Sequence, residues 1–202
     1  MSTPTGRDRR ILVVRHAAVA EKYAERCYGR SDIELSDEGL KRTEELADEL
    51  SRLPITHLYY SPLCRSALLG QRIKVGSDAN VAVVPELQEI HFGEWELRNW
   101  EDIYAEAPDA LDRMIAEPTT YAAPGGETLW SVRDRVMGWY DALPDRGLIV
   151  AVTHGGPIAV LRGTLGQYPI DKWFALAPNH GEIIELETTP PSDDLPRRVA
   201  GG

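Results

Sequence analysis

Cysteine, cationic excess and long apolar runs are all scarce in this 202-residue chain, and each shortage removes a class of protein. The two cysteines, Cys27 and Cys64, are too few for a disulfide framework and lack metal-ligand spacing, so both are expected as free thiols. Lysine and arginine total 22 against 32 aspartate and glutamate, a formal charge of −10. A phosphate polymer or an anionic membrane would be repelled overall, so neither nucleic acid nor membrane is an expected partner, and any anion site must be a local basic cluster. No apolar stretch approaches the roughly 20 residues of a membrane span. The polar stretch from Met1 to Arg10 holds no apolar segment of signal-peptide length, and a soluble, cytoplasmic protein is expected. Several common catalytic motifs are missing too: there is no Gly-x-x-x-x-Gly-Lys-Ser/Thr loop, no Gly-x-Ser-x-Gly elbow, and no His-x-x-x-His or Cys-x-x-Cys pair. These absences argue against a P-loop NTPase and a serine hydrolase, and leave a zinc site built from His16, His154 and Glu89 without spacing support.

What is present begins with Ile11-Leu12-Val13-Val14, an apolar run that ends in Arg15 and His16. Such a run suits a strand buried on both faces, so Arg15 and His16 belong at its carboxyl end, where open α/β sheets place their ligand crevices. Residues 1–9 read as a flexible lead-in, residues 10–187 as one domain, and the Pro-rich, charged residues 188–202 as a disordered tail. Ser36 caps a helix expected over 37–53, ended by Pro54. Residues 57–60 read as a second strand, after which Ser61 as cap and Pro62 as first helical residue start a helix carrying Arg65. Residues 81–84 read as a third buried strand closed by Pro85. The acidic, aromatic stretch 85–96 fits neither helix nor strand, and 97–126 forms an excursion over the sheet with short helices, one around 110–116. An amphipathic helix spans about 129–143, and the clearest strand, 148–153, delivers His154. Gly155-Gly156-Pro157 leads into an apolar helix from about Ile158 to Leu165, and 182–186 reads as a last strand.

Strands alternating with helices imply a mostly parallel sheet between helical layers. On that plan His16, Arg65, Glu89 and His154 each lie just beyond the carboxyl end of a separate strand. Phosphoryl transfer needs a positioned nucleophile, cations around the nonbridging oxygens and an acid for the leaving oxygen. A neutral imidazole supplies the first, and nearby guanidiniums favour its unprotonated form. Arg15 and Arg65 can each grip phosphate oxygens with a planar fork, and the helix start at Gly155 can aim free N–H groups at the same anion. Glu89 is the candidate acid, provided it holds its proton. His57 and His91 read as structural, and His180, between Asn179 and Gly181, could line the crevice but reads first as a loop histidine.

In order along the chain stand Leu12-Val13-Val14-Arg15-His16, the stretch Tyr28-Gly29-Arg30-Ser31-Asp32 running on to Gly39, Ser61-Pro62-Leu63-Cys64-Arg65-Ser66-Ala67, Glu89-Ile90-His91-Phe92-Gly93-Glu94-Trp95-Glu96, Pro124-Gly125-Gly126-Glu127-Thr128 and Val152-Thr153-His154-Gly155-Gly156. As a set these resemble the histidine phosphatase superfamily of phosphoglycerate-mutase-like enzymes, over about Ile11 to Leu186. The resemblance implies that His16 becomes phosphorylated, that Arg15, Arg65 and His154 hold the phosphate, and that Glu89 donates the proton. It also implies a three-layer α/β/α sandwich whose mostly parallel sheet has at least one antiparallel strand, and no metal or other cofactor. Two departures stand out. Ala17 replaces the family's usual Gly after the nucleophile, adding strain if that backbone needs a positive φ, and Lys22 replaces a common Asn, so one phosphate contact is missing or supplied differently.

Mutases of the family resemble one another in an inserted Arg-Arg pair that receives a carboxylate, whereas residues 97–126 hold only the isolated Arg98 and Arg113. That favours a phosphatase acting on a small-molecule phosphate ester, with a homodimer compatible with the sequence. The alternatives are mutase-type phosphoryl transfer, or a protein that binds a phosphorylated ligand with little turnover. The segments around Arg26-Cys27-Tyr28-Gly29-Arg30 and Phe92 to Trp100 look most like α-ribazole phosphatases of cobalamin assembly. They offer Tyr28, Gly29, Trp95 and Trp100 as an aromatic substrate rim.

Overall fold

Side chains on a strand alternate between faces, and in β1 (Asp8–Arg15) both faces are apolar. Ile11 and Val13 join one core cluster, while Leu12 and Val14 join another on the opposite side. The neighbouring strand β4 (Arg146–Thr153) is built the same way. Its Ile149 and Ala151 share a cluster with Ile11 and Val13, and its Leu148, Val150 and Val152 share the other with Leu12 and Val14. The register pairs Leu12 with Val150 and Val14 with Val152, so like faces coincide and both strands are buried throughout their centres.

This is a computed structural model, and it describes residues 8–186. The five-stranded sheet runs in the order β3-β2-β4-β1-β5, with β2 (Ile55–Tyr60), β3 (Asn80–Val83) and β5 (Ile183–Glu185) completing it. All adjacent pairs are parallel except β1 with β5. On one face α1 (Asp37–Leu50) and α2 (Cys64–Arg72) cover Leu12, Val14 and Val150. On the other lie α3 (Trp100–Glu106), α4 (Ala110–Ala116), α5 (Leu129–Asp141) and α6 (Gly155–Leu165). The result is the expected three-layer α/β/α sandwich. The helix after β1 lies on one face and the helix after β4 on the other, so these adjacent strands form a switch point, where such sheets open a crevice.

Several local expectations are revised. β1 begins at Asp8 and β2 at Ile55, so the first includes the last two residues of the expected lead-in; the expected tail, 188–202, lies outside the described residues. Helix α1 ends at Leu50, not Leu53, because Pro54 disfavours a helical residue before it and the chain leaves through a Ser51 cap. Ser61 does not cap α2. The helix starts at Cys64, whose N–H is capped from a distant loop by Asp32 Oδ1 at 2.7 Å. Helix α6 begins directly at Gly155, three residues earlier than Ile158. Strand β3 is an edge strand and not a buried one, with Val81 46% and Val83 51% exposed, since only β2 pairs with it. Among the described residues no helix is long and apolar enough to cross a membrane.

The burial contrast makes a stability test. Leu46 is fully buried between α1 and the sheet, and Leu46→Ala is expected to cost about 2–5 kcal/mol. Val83→Thr on the exposed edge is expected to stay within about 0.5 kcal/mol. Urea unfolding of the two variants measures both; a large loss from Val83→Thr would mean that β3 is covered in solution.

Candidate active site

The switch point brings the ends of β1 and β4 together. Arg15 pairs with Thr153, and the next residue on each strand is a histidine. His16 N donates to Thr153 O at 3.0 Å, and the two imidazole centroids lie 5.2 Å apart. Both side chains are fully buried. His16 Nδ1 sits 2.7 Å from Ala17 O, a carbonyl that can only accept, so Nδ1 carries the proton. Nε2 is left with a bare lone pair, buried and without a partner. Burial, more than any charge, holds the His16 pKa well below the imidazole range; Arg65 adds to this, and Arg15 contributes least. The sequence argument had rested on the two guanidiniums, so the larger cause is desolvation.

His154 is lowered likewise, by burial first and Arg65 second. Its Nε2 lies 2.7 Å from Ser61 Oγ and 3.4 Å from Ser66 Oγ, while Nδ1 has no partner. Ser66 Oγ–H is directed to Thr153 O at 3.2 Å, so Ser61 is the hydroxyl that can donate to Nε2, an arrangement in which the proton of His154 sits on Nδ1. Ser61, read from sequence as a helix cap, is thus a support for this ring.

Arg65 is almost wholly buried, yet carbonyls hold it: NH1 donates to Ser31 O at 2.8 Å and NH2 to Gly29 O at 2.6 Å. Arg15 NH1 donates to Pro178 O at 2.7 Å. Nε of each guanidinium is buried without a partner. Gly29 has φ +39°, and a Cβ there would meet Ile90 O at 2.8 Å, so the turn that grips Arg65 requires glycine. A Cβ on Gly155 would stand 3.2 Å from Arg15 Cζ, which keeps α6 close against that cation.

Glu89 Oε1 accepts from Ile90 N at 3.0 Å and from Gly156 N at 3.1 Å. Of the two glycine N–H groups that start α6, Gly156 is therefore engaged by the carboxylate, leaving Gly155 for an anion. The Glu89 backbone is clamped as well. Arg30 Nε and Arg135 NH2 both donate to its carbonyl, at 3.2 and 3.1 Å, and Glu127 pairs with the two arginines at 3.0 and 2.8 Å while accepting from His91 N. Nothing in the residue pattern announced this clamp, because its members lie on three separated segments.

Arg15, Glu89, Gly155, Tyr28, Gly29 and His180 line one pocket of about 330 Å³, within the range of small-ligand sites. His16, Arg65 and His154 are not among its lining residues but adjoin them: the His16 ring lies 5.2 Å from those of His180 and His154, and Arg65 NH2 donates to the carbonyl of Gly29. Trp100 also lines it, joined by Phe92, Ile90, Phe174, Ala24 and Arg26, which sequence reasoning had not selected. Trp95 does not: it is 5% exposed and packed in the core, because the 3-10 turn Gly93–Trp95 points it inward, and it is withdrawn from the substrate rim. His57 and His91 lie outside the pocket, and Cys27 and Cys64 are free thiols. Ala17 has no positive φ, so its methyl adds no strain. Lys22 pairs with Glu34 and is turned to solvent, so it makes no contact in the pocket.

The two buried imidazoles set a pH dependence of stability. The unfolded chain protonates them near 6.5, whereas the folded chain keeps them neutral. Stability is therefore full above that pH and falls as pH drops below it, by up to about 1.4 kcal/mol per pH unit for each ring. Urea unfolding at pH 7.5 and 5.5 should show a smaller pH loss in His154→Gln than in the wild type. Equal losses would mean that the ring is not held neutral.

Comparison with known proteins gives a consistent assignment. A sequence model of the Histidine phosphatase superfamily (branch 1) matches residues 11–197. Phosphoserine phosphatase 1 of Hydrogenobacter thermophilus is 30% identical over 183 residues, covering 88% of this chain and 87% of that protein. Adenosylcobalamin/alpha-ribazole phosphatase of Salmonella typhimurium is 24% identical over 163 residues, covering 79% and 81%. The native structure of a mycobacterial glucosyl-3-phosphoglycerate phosphatase superposes with a TM-score of 0.72 at 29% identity, covering 89% of this chain and 90% of that one. With the family match spanning nearly the whole described fold, the chain belongs to the histidine phosphatase superfamily, branch 1.

Proposed function

We propose that the protein is a phosphatase that hydrolyses small phosphate monoesters through a phosphohistidine on His16. The observation that carries this reading is the bare, buried Nε2 of His16, whose tautomer is fixed by Ala17 O beside two carbonyl-held guanidiniums. In the first step the Nε2 lone pair forms a bond to phosphorus as the bond to the alcohol oxygen breaks. Arg15, Arg65, the His154 Nδ1–H and the Gly155 N–H hold the nonbridging oxygens, and Glu89 gives its proton to the departing oxygen. Oε1 accepts the shorter bonds from Ile90 N and Gly156 N, while Gly156 N reaches Oε2 only at 3.4 Å, so Oε2 is the oxygen assigned to carry that proton. In the second step water attacks phosphorus, Glu89 takes the proton back, the N–P bond breaks, and orthophosphate leaves.

Two observations support a phosphatase over a mutase. Arg98 is paired with Glu106 and Arg113 with Glu117, and neither lines the pocket, so the excursion offers no free cation there to receive a second acidic group. Phe92 and Trp100, edge to face at 5.7 Å, give the pocket an aromatic wall, on which Arg26, held by the carbonyls of Lys22 and Leu97, is the cation beside Arg15. Such a wall suits a flat, weakly polar alcohol, and because the Salmonella relative is an adenosylcobalamin/alpha-ribazole phosphatase, α-ribazole 5′-phosphate is the specific proposal.

Brief reaction with substrate and an alkaline quench should trap an acid-labile phosphate on His16, with turnover unaffected by EDTA. An active His16→Ala enzyme would overturn the mechanism. For specificity, kcat/KM for α-ribazole 5′-phosphate is expected to exceed that for 3-phosphoglycerate by at least about tenfold, the equivalent of one stacking contact. Efficient interconversion of 2- and 3-phosphoglycerate without phosphate release would sink the substrate choice and the phosphatase reading together.

A further inference from the structure

The nucleophile has a second imidazole neighbour that its motifs do not include. His180 stands with its ring centroid 5.2 Å from that of His16, the same separation as His154, and it lines the pocket. Its loop is pinned on both sides. Pro178 O takes the Arg15 guanidinium, Asn179 N donates to Glu182 Oε2 at 2.8 Å, and Gly181 N donates to the carbonyls of Arg15 and His16 at 3.1 and 3.0 Å. Gly181 O in turn accepts from Arg42 Nε and NH2, and its own φ of +70° makes the turn. The loop therefore presents His180 to the crevice as a fixed element.

The ring is oriented by Tyr28, whose hydroxyl lies 3.4 Å from His180 Nε2. Burial raises the Tyr28 pKa, so the phenol keeps its proton and can donate it to Nε2. Burial and the Arg15 and Arg65 guanidiniums lower His180 to about 4, so at neutral pH the ring carries one proton. With Nε2 accepting from Tyr28, that proton is on Nδ1. We propose that His180 is a phosphoryl-binding residue: its Nδ1–H donates to a nonbridging oxygen of the group transferred to His16, and Tyr28 holds the ring in place. The fixed loop, the shared distance to the nucleophile and the tyrosine contact carry this assignment, which rests on the phosphatase reading above.

A phosphoryl contact and a contact to the alcohol differ in what they make common to all substrates. Calorimetric binding of orthophosphate and kcat/KM for 4-nitrophenyl phosphate and glycerol phosphate are compared across the wild type, His180→Ala, His180→Gln and Tyr28→Phe, after thermal melting shows each folded. Loss of one donor to an anionic oxygen is expected to lower kcat/KM about ten- to hundredfold in His180→Ala. The loss should be equal for both esters and matched by weaker orthophosphate binding, with partial recovery in His180→Gln and a smaller loss in Tyr28→Phe. A loss that differs between the esters with orthophosphate binding unchanged would make His180 a contact of the alcohol and overturn the proposal, as would no loss at all. Should the wild type bind orthophosphate without turning over either ester, the phosphatase reading fails while the binding comparison still decides the role of His180. No orthophosphate binding by the wild type overturns both.

Discussion

The parallel register of β1 and β4 is the constraint on which the site depends. Arg15 faces Thr153 across the sheet, and the backbone bond from His16 N to Thr153 O carries the pairing one residue past the strand end. A slip by one residue would exchange the faces of every side chain in β1, sending Ile11 and Val13 where Leu12 and Val14 belong. The register is held because both faces are buried and differently packed. The two histidines are thus placed side by side by hydrophobic packing well below them, and Ala17 O and the Ser61 hydroxyl then orient the rings.

Around that pair the structure uses arginine in two ways. Arg30 and Arg135 are bound to a carboxylate, Glu127, and spend their remaining N–H groups on the backbone of residues 86–89. Their task is mechanical: they fix the loop that aims Glu89. Arg15 and Arg65 are anchored by neutral carbonyls, which orient a guanidinium while leaving its charge in place. The same side chain serves as bracket in one case and as cation in the other, according to what it is paired with.

Much of this was legible in the sequence because it rests on local rules. Apolar runs of four to six residues ending in a polar residue place His16 and His154 at strand ends, and Ser36, Thr128 and the Pro and Gly punctuation bound the helices. Position in the sheet was less legible: Val81 to Val84 reads like the buried strands, and only the strand order shows that β3 has one neighbour. Trp95 and Trp100 look alike in sequence, but a 3-10 turn sends one inward and a helix start leaves the other at the pocket. Contacts between distant segments left the least trace. Ser61 under His154, Arg135 under Glu89 and His180 beside His16 each join segments more than 40 residues apart.

The carbonyl anchoring of Arg15 and Arg65 has a thermodynamic consequence. Among the described residues neither guanidinium forms an ion pair with a carboxylate, and each keeps a buried Nε without a partner. Taking such charge out of water costs several kcal/mol per ion unless a counter-charge repays it. In a chain whose overall charge is −10, the two guanidiniums thus concentrate positive charge at the end of the sheet, with Glu89 and Asp32 among the groups that offset it at Arg65. A small dianion that binds the two guanidiniums would supply that counter-charge and stabilise the folded chain by mass action.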